Sequence, residues 1–182
     1  TPNSLLLKYA SFDPAKATPT IPSVLRASPN SQLWIVQFDG NPTEQGRKTI
    51  EASGAEIHSY LPHNAYVVRM PAKPADLVGQ LDGIRYVGQY PAAYRLESVL
   101  RDAILNGTEL PTLRYNIVVV DKNNDKESLE RRIEAIGGRV SHRHPGSILF
   151  EVDLNGDQLL QAASFDEVLW IDRWSAPEED ID

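Results

Sequence analysis

The sequence predicts an α+β protein in which one small βαββαβ module occurs twice in tandem. Residues 33–90 and 115–174 bring the same kinds of segment into the same order, at an offset of roughly 81 to 84 residues. The chain has 182 residues and 41% hydrophobic residues, enough material for two small cores. Each predicted element supports this repeat in turn.

Each copy opens with a short apolar run at 33–38 or 115–120. The length and the β-branched residues of these runs are typical of a buried strand. A helical segment follows at 43–53 and again at 125–136, with Thr43 and Asp125 as the predicted N-caps. Both segments end at a glycine, Gly54 or Gly137, as expected where the chain takes a left-handed conformation to leave a helix.

The second half of each copy predicts a hairpin, a helix and a last strand. Pro74 in the first turn and Asn155 as a cap favour the two helices. The hairpins pair 56–60 with 66–70 and 139–143 with 148–152, the helices span 74–81 and 156–164, and the last strands span 84–90 and 168–174. This order indicates two tandem ferredoxin-like (βαββαβ) domains, each an antiparallel sheet with two helices on one face.

The predicted domain organisation has five parts. The first 31 residues contain several prolines and no sustained period of apolar residues, which predicts an extended or disordered arm at the start of the chain. A short apolar stretch between the two copies predicts a linker that could be helical. The parts are the arm (1–31), the first ferredoxin-like domain (32–95), the linker (96–113), the second ferredoxin-like domain (114–174) and an acidic tail (175–182).

The strands of the second copy predict apolar side chains on both faces of its sheet. Successive side chains of a strand point to opposite faces of the sheet. In the first strand of this copy, Ile117 and Val119 would point to one face and Val118 and Val120 to the other. In its last strand, Val168 and Trp170 would oppose Leu169 and Ile171. An apolar face that the helices leave uncovered usually marks an interface. Either the first copy or an external protein would cover it.

Composition excludes several classes of function. The formal net charge of −7 argues against a protein that binds the nucleic-acid backbone. No run approaches the roughly 20 apolar residues of a membrane span. The absence of cysteine excludes disulfides, a thiolate nucleophile and a cysteine-ligated zinc site.

The residues that could carry catalysis or hold a metal do not form a recognisable centre in the sequence. His142 and His144 would lie on one face of a strand, but no nearby acid or third ligand is evident, so the sequence predicts surface imidazoles beside a turn and no metal or cofactor. The serines fall in caps, turns and linkers, without a nucleophile elbow. We therefore expect no catalytic residues in this chain.

Short motifs give the chain a resemblance to a known family. The stretch Val168-Leu169-Trp170-Ile171-Asp172, in a last strand that leads into an extended tail, resembles the end of the propeptide of subtilisin-like serine proteases. The first copy resembles the N-terminal prosegments of larger bacterial subtilases, through Ser53-Gly54-Ala55-Glu56 and Val87-Gly88-Gln89-Tyr90-Pro91. The resemblance spans both copies.

This resemblance implies a prodomain that helps its protease to fold and then inhibits it. The open sheet face would pack on the protease, the Asp172 carboxylate would suit positive helix N-termini, and the tail would lie in the substrate cleft. The implied partner is a cognate subtilisin-like protease domain, and the implied location is secreted or periplasmic after loss of a signal peptide. The implied protease-binding residues are Val168, Trp170, Asp172, Trp174, Ser175, Ala176 and Pro177.

Two other functions remain open from the sequence. Paired ferredoxin-like domains can bind a small metabolite and signal to an attached enzyme, although Gly40 and Gly46 are the only glycines near the first strand-to-helix loop. Alternatively, the chain could be an adaptor that joins protein partners through its exposed sheet without slowing any protease.

Overall fold

The structure is a computed structural model, and it describes residues 3–176. Within these residues the fold is α+β, with two four-stranded antiparallel sheets and five α-helices, which confirms the predicted class. The chain forms two compact units. The first contains the residues up to Arg95 together with Ser164–Asp166, and the second contains Leu96–Ala163 with the residues from Glu167 onward.

The elements occur in nearly the predicted order and places, with two additional short strands in the arm and a helix between the copies. The strands are β1 (Leu5–Leu6), β2 (Ser11–Phe12), β3 (Leu33–Phe38), β4 (Glu56–Leu61), β5 (Ala65–Arg69), β6 (Ile84–Gln89), β7 (Leu113–Val119), β8 (Arg139–His142), β9 (Leu149–Leu154) and β10 (Val168–Arg173). The helices are α1 (Glu44–Ala52), α2 (Ala72–Gly79), α3 (Ser98–Leu105), α4 (Lys126–Ala135) and α5 (Gly156–Ala162).

The two four-stranded sheets share one strand order. It is β4-β5-β3-β6 in the first unit and β10-β7-β9-β8 in the second, and every neighbouring pair is antiparallel. In both sheets the first and third strands of the copy lie at the centre, while the second and fourth form the edges. Each copy thus buries its most apolar strands between two neighbours.

Local signals at the helix ends explain why the helices begin and end where they do. Thr43 caps α1, because its hydroxyl accepts a hydrogen bond from the Gly46 amide at 2.9 Å. Asn155 and Gln158 form a capping box at the start of α5. After α1 and α4, Gly54 and Gly137 take φ values of +96° and +90°, as predicted.

Asp125 occupies the N-cap position of α4, but it does not cap the helix with its side chain. Its carboxylate accepts a hydrogen bond from the Asp121 amide at 3.0 Å instead. The Asp121 carboxylate also accepts hydrogen bonds from the amides of Asn123 and Asn124. The acidic residues before α4 therefore form a turn that is stabilised by hydrogen bonds within it.

Both helices of the first copy pack on one face of its sheet. The residues in this core come from β3, α1, β5, α2 and the turns beside them: Val36, Phe38, Ile50, Ala55, Val68, Met70, Ala75 and Val78. Trp34 lies beside this core and donates its indole N–H to the Met70 carbonyl at 2.8 Å. Trp34 is therefore a packing residue of the first unit.

The arm contacts the other face of the first sheet. Gln37, which points away from the helices, is buried and donates to the Asn3 carbonyl at 2.8 Å. Arg85 forms an ion pair with Asp13 at 2.7 Å. Leu5 and Leu25 of the arm have no exposed surface. The described part of the arm contains β1, β2 and a short 3-10 helix (Ser23–Leu25) joined by turns and irregular backbone, and it contributes to the core of the first unit.

Gly88 in β6 is required by the ring of Tyr86 on the same face. A Cβ at Gly88 would lie 2.0 Å from the Tyr86 hydroxyl oxygen and 2.5 Å from Cζ, so the ring lies across the space that a side chain would fill. This explains why the last strand of the first copy has glycine where the last strand of the second copy has Asp172.

Candidate functional site

The candidate site is the face of the second sheet opposite its buried core, here called the open face. Tyr115, Ile117 and Val119 of β7 point into the core and are buried, so the residues between them point to the open face. Strand pairing arranges the open face in three cross-strand rows: Trp174, Arg114, Asp153 and Arg139; Asp172, Asn116, Glu151 and His142; Trp170, Val118 and Leu149.

The open face is apolar in one row and polar in two, so the prediction of a second apolar face holds for the Val118 row alone. The apolar runs in β7 and β10 suggested a continuous patch, but β9 places Glu151 and Asp153 at its centre. Val120 does not contribute, because it lies beyond the end of β7 and is buried. The result is an amphipathic surface of the kind found in protein interfaces.

A bulge in β10 corrects the predicted alternation of its side chains. Val168 pairs with Val119 and Trp170 pairs with Val118, so one extra residue lies between the two pairs. The prediction that Val168 shares a face with Trp170 is wrong. Val168 and Ile171 are both fully buried in the core, whereas Trp170 lies half-buried on the open face.

Five of the predicted binding residues remain accessible in this strand or just after it, among them the half-buried Trp174. Trp170 donates its indole N–H to the Asp172 carboxylate at 3.2 Å, and both side chains are half-buried. Ser175 and Ala176 are exposed. Pro177 and the acidic residues of the tail at 178–182 lie outside the described residues.

Glu151 connects the end of the strand to the two histidines. The carboxylate is 2.5 Å from His144 Nε2 and 3.6 Å from His142 Nδ1, and it accepts a hydrogen bond from the Trp174 side chain. Burial by itself would raise the pKa of Glu151, but the hydrogen bonds from His144 and Trp174 and the nearby imidazole charge outweigh burial and hold the pKa below its ordinary 4.5. The expectation that no acid lies near the two histidines is therefore wrong, because strand pairing brings Glu151 to them.

Asp153 forms the other charged centre of the open face. It accepts hydrogen bonds from Arg114 at 2.9 Å and from Arg139 at 2.8 Å. The hydrogen bond from Arg114 is the main reason why the pKa of Asp153 lies below its ordinary 3.8. Arg114 also lies over the Trp174 ring, with its guanidinium carbon 5.4 Å from the ring centroid.

The outer edge of β10 is closed by the residues before α3. Leu96 forms an isolated parallel bridge with Ile171, and the Glu97 amide donates to the Ile171 carbonyl at 2.9 Å. The Glu97 carboxylate accepts both the Arg173 amide and its guanidinium. The hydrogen bond from the Arg173 side chain is the main cause that lowers the pKa of Glu97.

We expect the second unit to lose stability as the pH falls below about 4.5. Glu97, Glu151 and Asp153 have lowered pKa values when folded, so the unfolded chain binds more protons than the folded chain in acid. Their stabilisation is present above their ordinary values of 4.5 and 3.8 and is lost as the pH falls through the folded values. Each carboxylate adds at most about 1.4 kcal/mol per pH unit while it titrates.

Urea denaturation between pH 6 and pH 3 checks this expectation. Replacing Trp34 with Phe leaves Trp170 and Trp174 as the tryptophan reporters, and both belong to the second unit. Asp153→Asn should make the dependence on pH shallower. If the free energy of unfolding changed equally with pH in the parent and in Asp153→Asn, the assignment of Asp153 as a stabilising carboxylate would be contradicted.

Comparison with known proteins finds one family model that is similar to part of the chain. A family described as a domain of unknown function (DUF8729) matches residues 6–91. The matched residues include most of the arm as well as β3–β6, in agreement with the packing of the arm on the first sheet. No curated protein and no solved structure is significantly similar to the chain. Among residues 3–176, none of the helices has the length and apolar character that crossing a membrane requires.

Proposed function

We propose that the chain is the prosegment of a secreted or periplasmic subtilisin-like serine protease, built from two tandem ferredoxin-like units. The shared strand order of the two antiparallel sheets supports the finer fold assignment. The position of both helices of the first copy on one sheet face supports it as well. In this function the second unit binds the protease and the first unit, with its arm, extends the scaffold.

The observation that carries the proposal is the alignment of three side chains before the tail. Trp170, Asp172 and Trp174 lie on the open face of an edge strand that leads directly into Ser175 and Ala176. Aromatic residues are favoured anchors in protein interfaces, and an exposed extended segment can add to a partner as a strand. Trp170 and Trp174 would anchor the unit on the protease, while the segment from Ser175 occupies the substrate cleft.

Asp172 and Val168 have different parts in this binding. Asp172 keeps one carboxylate oxygen on the Trp170 indole, and the carboxylate remains available to helix N-termini on the protease. The Val168 side chain is fully buried, so it supports the strand from the core and does not contact the partner.

The first test follows the mass of the native gene product over time, with peptide mapping across Asp182. A larger precursor that splits into this segment and a protease is the expected result. A stable product that ends at Asp182 and never accompanies a protease would overturn the prosegment proposal.

The second test measures inhibition of the protease released from that precursor. The chain that ends at Ala176 should inhibit about 100-fold more weakly than the full chain, because it lacks most of the segment in the cleft. Trp170→Ala should weaken binding of both chains, while Leu77→Ala, at an exposed side chain on α2 of the first unit, serves as a control. Binding without any loss of protease activity would identify an adaptor instead.

A further inference from the structure

The chain leaves the second sheet at Arg173 and Trp174, whose side chains point to opposite faces. Arg173 is opposite Tyr115, on the side of the core, and Trp174 follows it beside Arg114 on the open face. Each of the two side chains is bound by a carboxylate from a different part of the unit.

Glu97 binds Arg173 through both backbone and side chain. Its Oε1 accepts the Arg173 amide at 3.0 Å and Nε at 3.0 Å, and its Oε2 accepts Nη2 at 2.8 Å. A bidentate pair of this kind fixes the orientation of the guanidinium as well as its distance. Because Glu97 is itself bonded to the Ile171 carbonyl, the pair connects Arg173 to a fixed part of the same strand.

Glu151 binds Trp174 from the other side. The Arg114 guanidinium lies over the indole ring, with its carbon 5.4 Å from the ring centroid, and interaction with the Trp174 side chain is one of the causes that lower the pKa of Glu151. The Trp174 amide also donates to the Arg114 carbonyl at 3.4 Å, which extends the pairing of β10 with β7 by one residue. His144 holds Glu151 in place from the opposite side at 2.5 Å.

We propose that Glu97 and Glu151 form an exit clamp, a pair of positioning residues that orient Ser175 and Ala176 where the chain leaves the sheet. The clamp orders the two residues before the tail in the free protein, so that less ordering is needed when the tail binds. Its effect on inhibition rests on the proposed function. Its existence in the free chain does not, and the two are measured separately.

The clamp itself is tested by hydrogen exchange and NMR on the free chain. Glu97→Ala should speed exchange of the Arg173 amide about tenfold, and Glu97→Gln should restore much of the protection because its side-chain oxygen can still accept that amide. Glu151→Ala should shift the Trp174 indole proton resonance. The control is Glu127→Ala, which removes an exposed helix pair with Arg131 in the same unit. Unchanged exchange and resonance in the Glu97 and Glu151 variants would overturn the clamp.

The positioning role is tested by combining these variants with loss of the tail. Glu97→Ala should weaken inhibition by the full chain about tenfold and leave inhibition by the chain ending at Ala176 unchanged. Equal weakening of both chains would mean that Glu97 acts through general stability and would overturn the positioning role. If the unmodified chain inhibits no protease, the proposed function fails, while the exchange results still decide whether the clamp exists.

Discussion

Replacing Arg95 with alanine is expected to lower the free energy of unfolding of the first unit by about 3–5 kcal/mol. Arg95 is about 1% exposed and belongs to the largest fully buried side chains of the described residues. Its guanidinium donates to the Phe165 carbonyl at 2.5 Å and to the Tyr90 carbonyl at 2.6 Å, and it lies 5.5 Å from the centroid of the Tyr90 ring. Alanine would leave both carbonyl oxygens without this donor and open a cavity.

Urea denaturation of a chain with Trp170 and Trp174 replaced by Phe checks this value, because Trp34 then reports on the first unit. Lys48→Ala removes an exposed helix pair with Glu44 and should change stability by less than about 0.5 kcal/mol. A loss below about 1 kcal/mol for Arg95→Ala would show that the two carbonyl groups do not depend on the guanidinium.

The importance of Arg95 illustrates what the sequence could not reveal. The strands and helices of each copy were predictable because the spacing of apolar residues, the helix caps and the glycines at the helix ends are patterns among neighbouring residues. Arg95 ends a short 3-10 helix (Ala92–Arg95) after the last strand of the first copy, and its partner Phe165 is 70 residues away. No local pattern marks a cation that is satisfied by distant backbone carbonyls.

The candidate site was only partly predictable from the sequence. Trp170, Asp172 and Trp174 were evident, since they lie together in one strand beside the tail. Glu97 and Glu151 were missed, because each reaches the site through pairing between strands or segments distant in sequence.

The face of the site was misjudged for a related reason. A bulge shifts the alternation of side chains by one residue, and β10 contains no glycine or proline that would indicate a bulge from the sequence. Val168 was therefore assigned to the surface although it lies in the core. Register between strands, more than the identity of the strands, decides which residues meet a partner.

The arm shows a further limit of periodicity. Leu5 begins a run of only three leucines and Leu25 follows Val24, and these runs are too short to show a helical or strand period among the surrounding polar residues and prolines. They are nonetheless fully buried, and the family match begins within the arm at residue 6. An irregular segment can supply single anchors to a core without any repeating signal.

Phe150→Ala is expected to lower the free energy of unfolding of the second unit by about 3–5 kcal/mol. Phe150 of β9 has no exposed surface and pairs with Ile117 of β7, which is also fully buried, so the cavity would open at the centre of the sheet. Denaturation of the Trp34→Phe chain measures this loss through Trp170 and Trp174. Ile148→Ala, at a side chain that is 49% exposed, should cost much less. Equal losses for Phe150→Ala and Ile148→Ala would contradict the assignment of Phe150 to the centre of this core.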